Sequence, residues 1–159
     1  MERYEKSYKA LSGSQREEYY YEQRTNFNLQ RFNIDYSKYS DNWIPRAAQL
    51  IFLNRTCFNG LFRVNSKGEF NTPMGDYANP LICDESNLTA VSSLLGNAHI
   101  QKAGYAAVLK DLKPASFVYF DPPYRPISKT AVFTSYSKFI FDDKEQKKLA
   151  TLFKELDAL

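Results

Sequence analysis

Apolar positions recur with a helical period in four stretches of this chain. Ile44, Ala47, Ala48, Ile51 and Phe52 follow i, i+3, i+4, i+7, i+8 spacing, which predicts a helix with all five on one face. Ser40, Asp41 or Asn42 can cap it, Pro45 is tolerated in its first turn, and it ends near Asn54-Arg55. Leu88, Val91 and Leu95 mark a second helix, capped by Asp84 to Ser86 and stopped by Gly96. Tyr105, Val108, Leu109 and Leu112 repeat at the same spacing until Lys113-Pro114. Asp142-Asp143-Lys144-Glu145 opens a last helix with a capping-box pattern and an apolar face of Leu149, Leu152, Phe153 and Leu156. Residues 15–28 are polar and tyrosine-rich, with Tyr20 and Phe27 seven apart, and predict a helix that covers something else with part of its surface. Residues 1–14 read as irregular and mobile.

Two segments between these helices follow a strand pattern. Residues 98–100 form a short apolar run. Ser116-Phe117-Val118-Tyr119-Phe120 is rich in aromatics and reads as a buried strand. It runs into Asp121-Pro122-Pro123-Tyr124, and proline cannot donate to a sheet ladder, so the chain leaves the sheet at Asp121. A carboxylate, a fixed carbonyl and a flat ring beyond a strand's carboxyl end suit a planar nitrogenous ligand; ordinary turn chemistry produces the same residues. Upstream, Leu61-Phe62-Arg63-Val64 and Glu69-Phe70-Asn71-Thr72 flank Asn65-Ser66-Lys67-Gly68, which predicts a projecting hairpin. Helix, strand, helix, strand, helix after Asn79-Pro80 is the rhythm of a parallel, doubly wound sheet. The expected organisation is therefore a recognition region over residues 1–79 and part of an α/β domain over 80–159.

Composition narrows the classes. No apolar run approaches the roughly 20 residues that span a bilayer, and the N-terminus has no signal-peptide pattern; a cytoplasmic protein without a membrane partner is expected. Cys57, Cys83 and the single His99 lack metal-ligand spacing, so neither disulfide nor metal is expected. Net charge is only +3. Twelve Tyr and twelve Phe, many beside Arg, Asn and Lys, suit base stacking and phosphate contact as well as core packing.

Asp121-Pro122-Pro123-Tyr124 resembles the catalytic motif of amino-methylating DNA methyltransferases. The run from Phe52 to Asn71, with its Asn54-Arg55, Asn59-Gly60-Leu61 and Gly68-Glu69-Phe70-Asn71 elements, resembles the Dam-type DNA adenine-N6 methyltransferases in particular, as do Glu18 to Tyr21 and Arg24 to Asn28. The resemblance implies a partial Rossmann-like methyltransferase sheet with a helical, hairpin-bearing target-recognition insertion. It implies S-adenosylmethionine as cofactor, no metal, and double-stranded DNA as partner in a bacterial or phage nucleoid, in maintenance methylation or restriction-modification. Asp121 and the Pro122 carbonyl would each accept one N6–H of adenine, and Tyr124 would stack on the flipped base. Asp121, Tyr105 and Phe133 would contact the cofactor. The hairpin would enter the major groove of GATC, with Phe58 wedged into the stack, Arg55, Asn59, Leu61 and Pro73 at bases or phosphates, and Arg63 on guanine O6/N7. The alternative is a hairpin packed on its own domain, with Phe58 buried and Arg63 solvated.

The chain departs from the family pattern in three ways. It has no G-x-G anywhere, whereas the family opens with a glycine-rich cofactor loop. Gly104 stands where Asp is usual before the aromatic, and Val132 where Asn is usual before Phe133. The chain also stops before the later strands. The expectation is a fragment needing a complementing N-terminal piece, or associating with itself through an exposed sheet edge. A catalytically inactive DNA-binding remnant that uses residues 121–124 only structurally is the competing reading. Action on free bases, RNA or protein glutamine is disfavoured by the hairpin.

Overall fold

A computed structural model describes residues 1–123 and 141–157 of the chain, which divides into two units, Met1–Leu94 and Leu95–Leu159. In the first unit, α1 (Glu2–Lys9), α2 (Gly13–Gln30) and α3 (Trp43–Thr56) gather round one aromatic side chain. Phe52 is fully buried. Tyr4 stacks on it at 5.1 Å, and Tyr8 and Tyr19 meet it edge-on at 5.7 and 5.6 Å. Offset and edge contacts of this kind add to the area each ring removes from water. Tyr20, Phe27, Leu53, Cys57, Phe70 and Ile82 complete the core.

The expectation of an irregular, mobile N-terminus is wrong. Tyr4 and Tyr8 are four apart, so one helical face carries both rings onto Phe52. Lys9 and Glu5 pair at 2.8 Å along the same helix. Helix α2 starts where Ser12 donates its backbone N–H and its hydroxyl to Gln15 Oε1, and it buries Tyr20 and Phe27, the pair its spacing indicated.

Helix α3 lies where the pattern placed it but turns a different stripe inward. Gln49, Phe52, Leu53 and Thr56 are its buried residues, while Ile44 is 60% exposed and Ala47 is also exposed. Positions 49, 52, 53 and 56 satisfy the same i, i+3, i+4, i+7 rule. Periodicity allows both stripes, and packing by α1 and α2 selects one. Gln49 enters the core with its amide nitrogen donating to the Gln23 carbonyl at 3.0 Å and to Gln23 Oε1 at 3.1 Å.

The expected α/β architecture is not what the chain forms. Among the described residues there is no strand and no sheet, so a Rossmann-like sheet is not seen, and neither is the sheet edge invoked for self-association. Pairing is confined to two isolated antiparallel bridges, Cys57 with Met74 and Val64 with Phe70. A strand exists only through a neighbour that takes its N–H and C=O groups. Residues 116–120 have no such neighbour among the described residues, and Phe117 and Tyr119 stand 90% and 76% exposed. Residues 98–100 are likewise irregular, and 105–112 tightens into a 3-10 segment, Tyr105–Lys110.

Two further helices follow. α4 (Glu85–Leu95) buries none of its residues. In the second unit, α5 (Asp143–Asp157) begins where Asp142 Oδ1 accepts from the backbone N–H groups of Lys144 and Glu145, both at 3.0 Å. Leu149 and Leu152 are buried, as its apolar face predicts, but Phe153 is 57% exposed and meets Phe120 at 5.8 Å. Among the described residues, no helix is long and apolar enough to cross a membrane.

Candidate functional site

The hairpin is built on a turn that its own side chains close. Asn65 Oδ1 accepts from the N–H groups of Lys67 and Glu69, each at 3.0 Å, and Gly68 takes φ +74°. Asn65 N–H donates to the Glu69 carbonyl at 2.9 Å, and Asn71 N–H to the Arg63 carbonyl at 3.0 Å. At the base, Phe58 N–H reaches the Pro73 carbonyl at 2.9 Å and Gly75 N–H the Thr56 carbonyl at 2.8 Å. A side chain at Gly75 would lie 2.8 Å from the Cys57 carbonyl, so only glycine allows this approach. Asn59 and Gly60 both take positive φ, +52° and +62°, turning the chain sharply after α3. Asn is one of the few residues that accept this conformation readily.

Side chains of α2 do for the returning limb what a third strand would do. Tyr20 OH donates to the Thr72 carbonyl at 2.9 Å, and Arg24 Nη1 to the same oxygen at 3.1 Å. The Asn28 amide makes a reciprocal pair with Phe70, donating to its carbonyl at 3.0 Å and accepting its N–H at 2.8 Å. Arg31 Nη1 donates to the Lys67 carbonyl at 2.6 Å and its other terminal nitrogen lies 3.6 Å from Glu69. Positions 20, 24, 28 and 31 lie on one helical face. That regular spacing of polar groups is the signal the sequence carries for this contact, and apolar periodicity does not reveal it. Burial pushes the Tyr20 hydroxyl well above its ordinary range, so it stays a donor.

The six residues named for DNA contact run from the last turn of α3 (Arg55) through the turn at Phe58 and Asn59 to the hairpin limbs (Leu61, Arg63 and Pro73). Arg55, Phe58, Asn59, Leu61, Arg63 and Pro73 are all exposed, Phe58 by 51% and Leu61 by 46%. Phe58 is therefore not part of the core. The backbone bond to Phe58 brings Pro73 beside it, and Thr72 Oγ1 donates to the Leu61 carbonyl at 2.8 Å, tying the two limbs together.

In the second unit, Asp121 and Pro122 line a cleft of about 680 Å³ with Ala103, Gly104, Tyr105 and Phe120. Phe141, Glu145 and Leu149 form the wall that the sequence did not indicate. Tyr105 OH donates to Glu145 Oε2 at 3.1 Å, and its ring meets Phe141 edge-on at 6.4 Å. Desolvation, and then this bond, raises the Tyr105 hydroxyl above its usual range. Lys148 first, and Tyr105 second, holds the Glu145 carboxyl below its usual range. The structure thus brings Asp121, Pro122 and Tyr105 to one cavity; Tyr124 and Phe133 lie outside the described residues. Apolar walls with a few convergent polar groups, at this size, are characteristic of small-molecule sites. Among the described residues, no group of three or more His, Cys, Asp or Glu side chains could hold a metal ion.

Comparison with known proteins places these features in a family context. The family model described as D12 class N6 adenine-specific DNA methyltransferase matches residues 1–158. The chain is 48% identical over 148 residues to the type II methyltransferase M.MjaIII of Methanocaldococcus jannaschii, covering 93% of this chain and 49% of that protein. It is 42% identical over 117 residues to the type II methyltransferase M1.LlaDCHI of Lactococcus lactis subsp. cremoris, covering 72% and 41%. It is 38% identical over 122 residues to the DNA adenine methylase of Escherichia coli (strain K12), covering 77% and 43%. The chain spans about half the length of these relatives, or somewhat less.

Proposed function

Because the chain belongs to the D12 class of N6 adenine-specific DNA methyltransferases, we propose that it carries the target-reading hairpin and the acceptor groups for methylation of adenine N6 in duplex DNA, with GATC as the sequence read. The observation that carries this reading is the position of Asp121-Pro122-Pro123 on the wall of a cleft that also holds Tyr105 and Glu145.

Adenine N6 is a poor nucleophile because its lone pair is delocalised into the ring. The Asp121 carboxylate accepts one N6–H and the Pro122 carbonyl accepts the other. As N6 takes up the methyl group, positive charge would grow on it, and both oxygens are placed to stabilise that charge. Consecutive prolines restrict the backbone that carries the second acceptor. N6 then loses one of its two protons to water on the acceptor side, which leaves neutral N6-methyladenine. Phe58, exposed at the hairpin base, fills the stack from which the target base is extruded.

S-Adenosylmethionine supplies the methyl group when bound. The cleft's residues fit it in kind: Asp121 offers a carboxylate to a cationic ligand, and Tyr105 and Phe141 offer ring faces and edges, while Glu145 is engaged by Lys148 and Tyr105. Arg63, exposed beside the turn, suits a guanine O6/N7 edge.

The test is transfer of a labelled methyl group from S-adenosylmethionine to synthetic duplexes. Incorporation at adenine in GATC, absent from duplexes with the adenine replaced by N6-methyladenine, is the expected result. Equal incorporation at unrelated adenines would remove the sequence assignment. Duplex and cofactor binding without any transfer would remove the catalytic one.

A further inference from the structure

One hairpin contact points at specificity and not at folding. Arg63 Nε donates to Asn71 Oδ1 at 2.9 Å across the two limbs. We infer that Asn71 is a positioning residue for base reading: it orients the Arg63 guanidinium through its inner nitrogen and leaves the two terminal nitrogens to the DNA. This rests on the DNA-reading role proposed above for the hairpin.

Asn71 is itself held. Its N–H donates to the Arg63 carbonyl at 3.0 Å, and Arg24 Nη1 approaches its carbonyl at 3.5 Å. Its neighbour Phe70 is buried and paired on both backbone groups by Asn28. The acceptor therefore projects from a fixed backbone, whereas Arg63 is exposed and rotamer-rich. A guanidinium reads guanine through two N–H groups in its plane, so fixing that plane before binding favours the reading geometry. The acceptor is also neutral. A carboxylate at 71 would orient Arg63 equally but would cancel part of the charge that a phosphate-lined groove attracts.

The experiment measures binding of the full chain to a GATC duplex, to the same duplex with 7-deazaguanine in place of guanine, and to a scrambled duplex. Removing N7 deletes one acceptor of the Arg63 pair, so the ratio of the first two affinities reports guanine reading. Asn71→Ala is expected to lower that ratio by about tenfold while scrambled-duplex affinity stays unchanged. In an Arg63→Ala background the same substitution is expected to change nothing further. Asn71→Asp, which keeps the acceptor, is expected to retain the ratio while weakening all three duplexes together.

If Arg63→Ala lowers the ratio and Asn71→Ala does not, the positioning role falls and the reading by Arg63 stands. If Arg63→Ala leaves the ratio unchanged, both fall. A uniform loss on all duplexes for Asn71→Ala, with a lowered melting temperature, assigns Asn71 to folding and overturns the inference. Should Asn71→Ala fail to fold, loss of the ratio in Asn71→Asp overturns it equally.

Discussion

The hydroxyl of Tyr20 donates to the carbonyl of Thr72 at 2.9 Å, and neither side chain is more than 2% exposed. This bond joins α2 to the returning limb of the hairpin inside the core. Tyr20→Phe removes the donor, but Arg24 still serves the same carbonyl at 3.1 Å. The expected loss is therefore about 1 kcal/mol, near the average net worth of a hydrogen bond. For a unit of this size that is roughly a 4–8 °C fall in melting temperature, readable by circular dichroism. No shift would mean that Arg24 alone suffices for the Thr72 carbonyl.

Phe52 meets three tyrosines and has no exposed surface. Truncation to Ala leaves a cavity under α1, and the expected cost is about 3–5 kcal/mol. Denaturant titration measures it. A cost below about 1 kcal/mol would show that α1 does not pack on Phe52 in solution.

The two thiols differ in burial. Cys57 is fully buried, its thiol donating weakly to the Asn54 and Leu61 carbonyls, and burial pushes its pKa up; Cys83 is partly exposed. A thiolate is the reactive form. Native protein treated with a disulfide reagent at neutral pH is expected to react at Cys83 and to spare Cys57 until denatured, as peptide mapping would reveal. Rapid labelling of Cys57 would contradict the packing at the hairpin base.

Asp121 carries the proposed chemistry while standing apart from the hairpin in sequence. Asp121→Asn keeps the shape but weakens the acceptor for N6–H. Methyl transfer is expected to fall by about 10²–10³-fold with duplex affinity unchanged. Single-turnover rates beside binding titrations separate the two quantities. An undiminished rate would exclude the carboxylate from the transition state.

The Glu145 carboxyl, held down by Lys148 and then by Tyr105, makes this wall of the cleft sensitive to acid. A carboxyl with a depressed folded pKa contributes stability above its unfolded value, here the ordinary 4.5, and loses it as pH falls through the lowered folded value. An NMR titration is expected to place the Glu145 midpoint below 4.5, with Lys148→Met raising it more than Tyr105→Phe. The opposite order would mean the tyrosine is the dominant partner.

Much of the first unit was legible in the chain. The spacing of Tyr20 and Phe27 located α2 and its buried side, and Asn65 to Gly68 located a turn whose Asn closes it and whose Gly takes φ +74°. The Asp142 cap and the pair Leu149 and Leu152 placed α5. Helix α1 was missed because its two buried residues are tyrosines among charges, a weak apolar signal. The cleft was half legible: Asp121, Pro122 and Tyr105 were named, whereas Glu145, Phe141 and Leu149 enter it only because α5 and its approach pack against the 3-10 segment.

The sequence by itself determined where α5 begins, where the Asn65 to Gly68 turn falls and which carboxylate precedes the paired prolines, because capping, φ preference and periodicity are properties of a few adjacent residues. Only the tertiary structure decided which stripe of α3 faces inward, that α2 side chains serve the hairpin backbone, and that the aromatic run 116–120 forms no strand. Each of those outcomes depends on a partner distant in sequence, and a hydrogen bond or a buried face is defined by what lies opposite it.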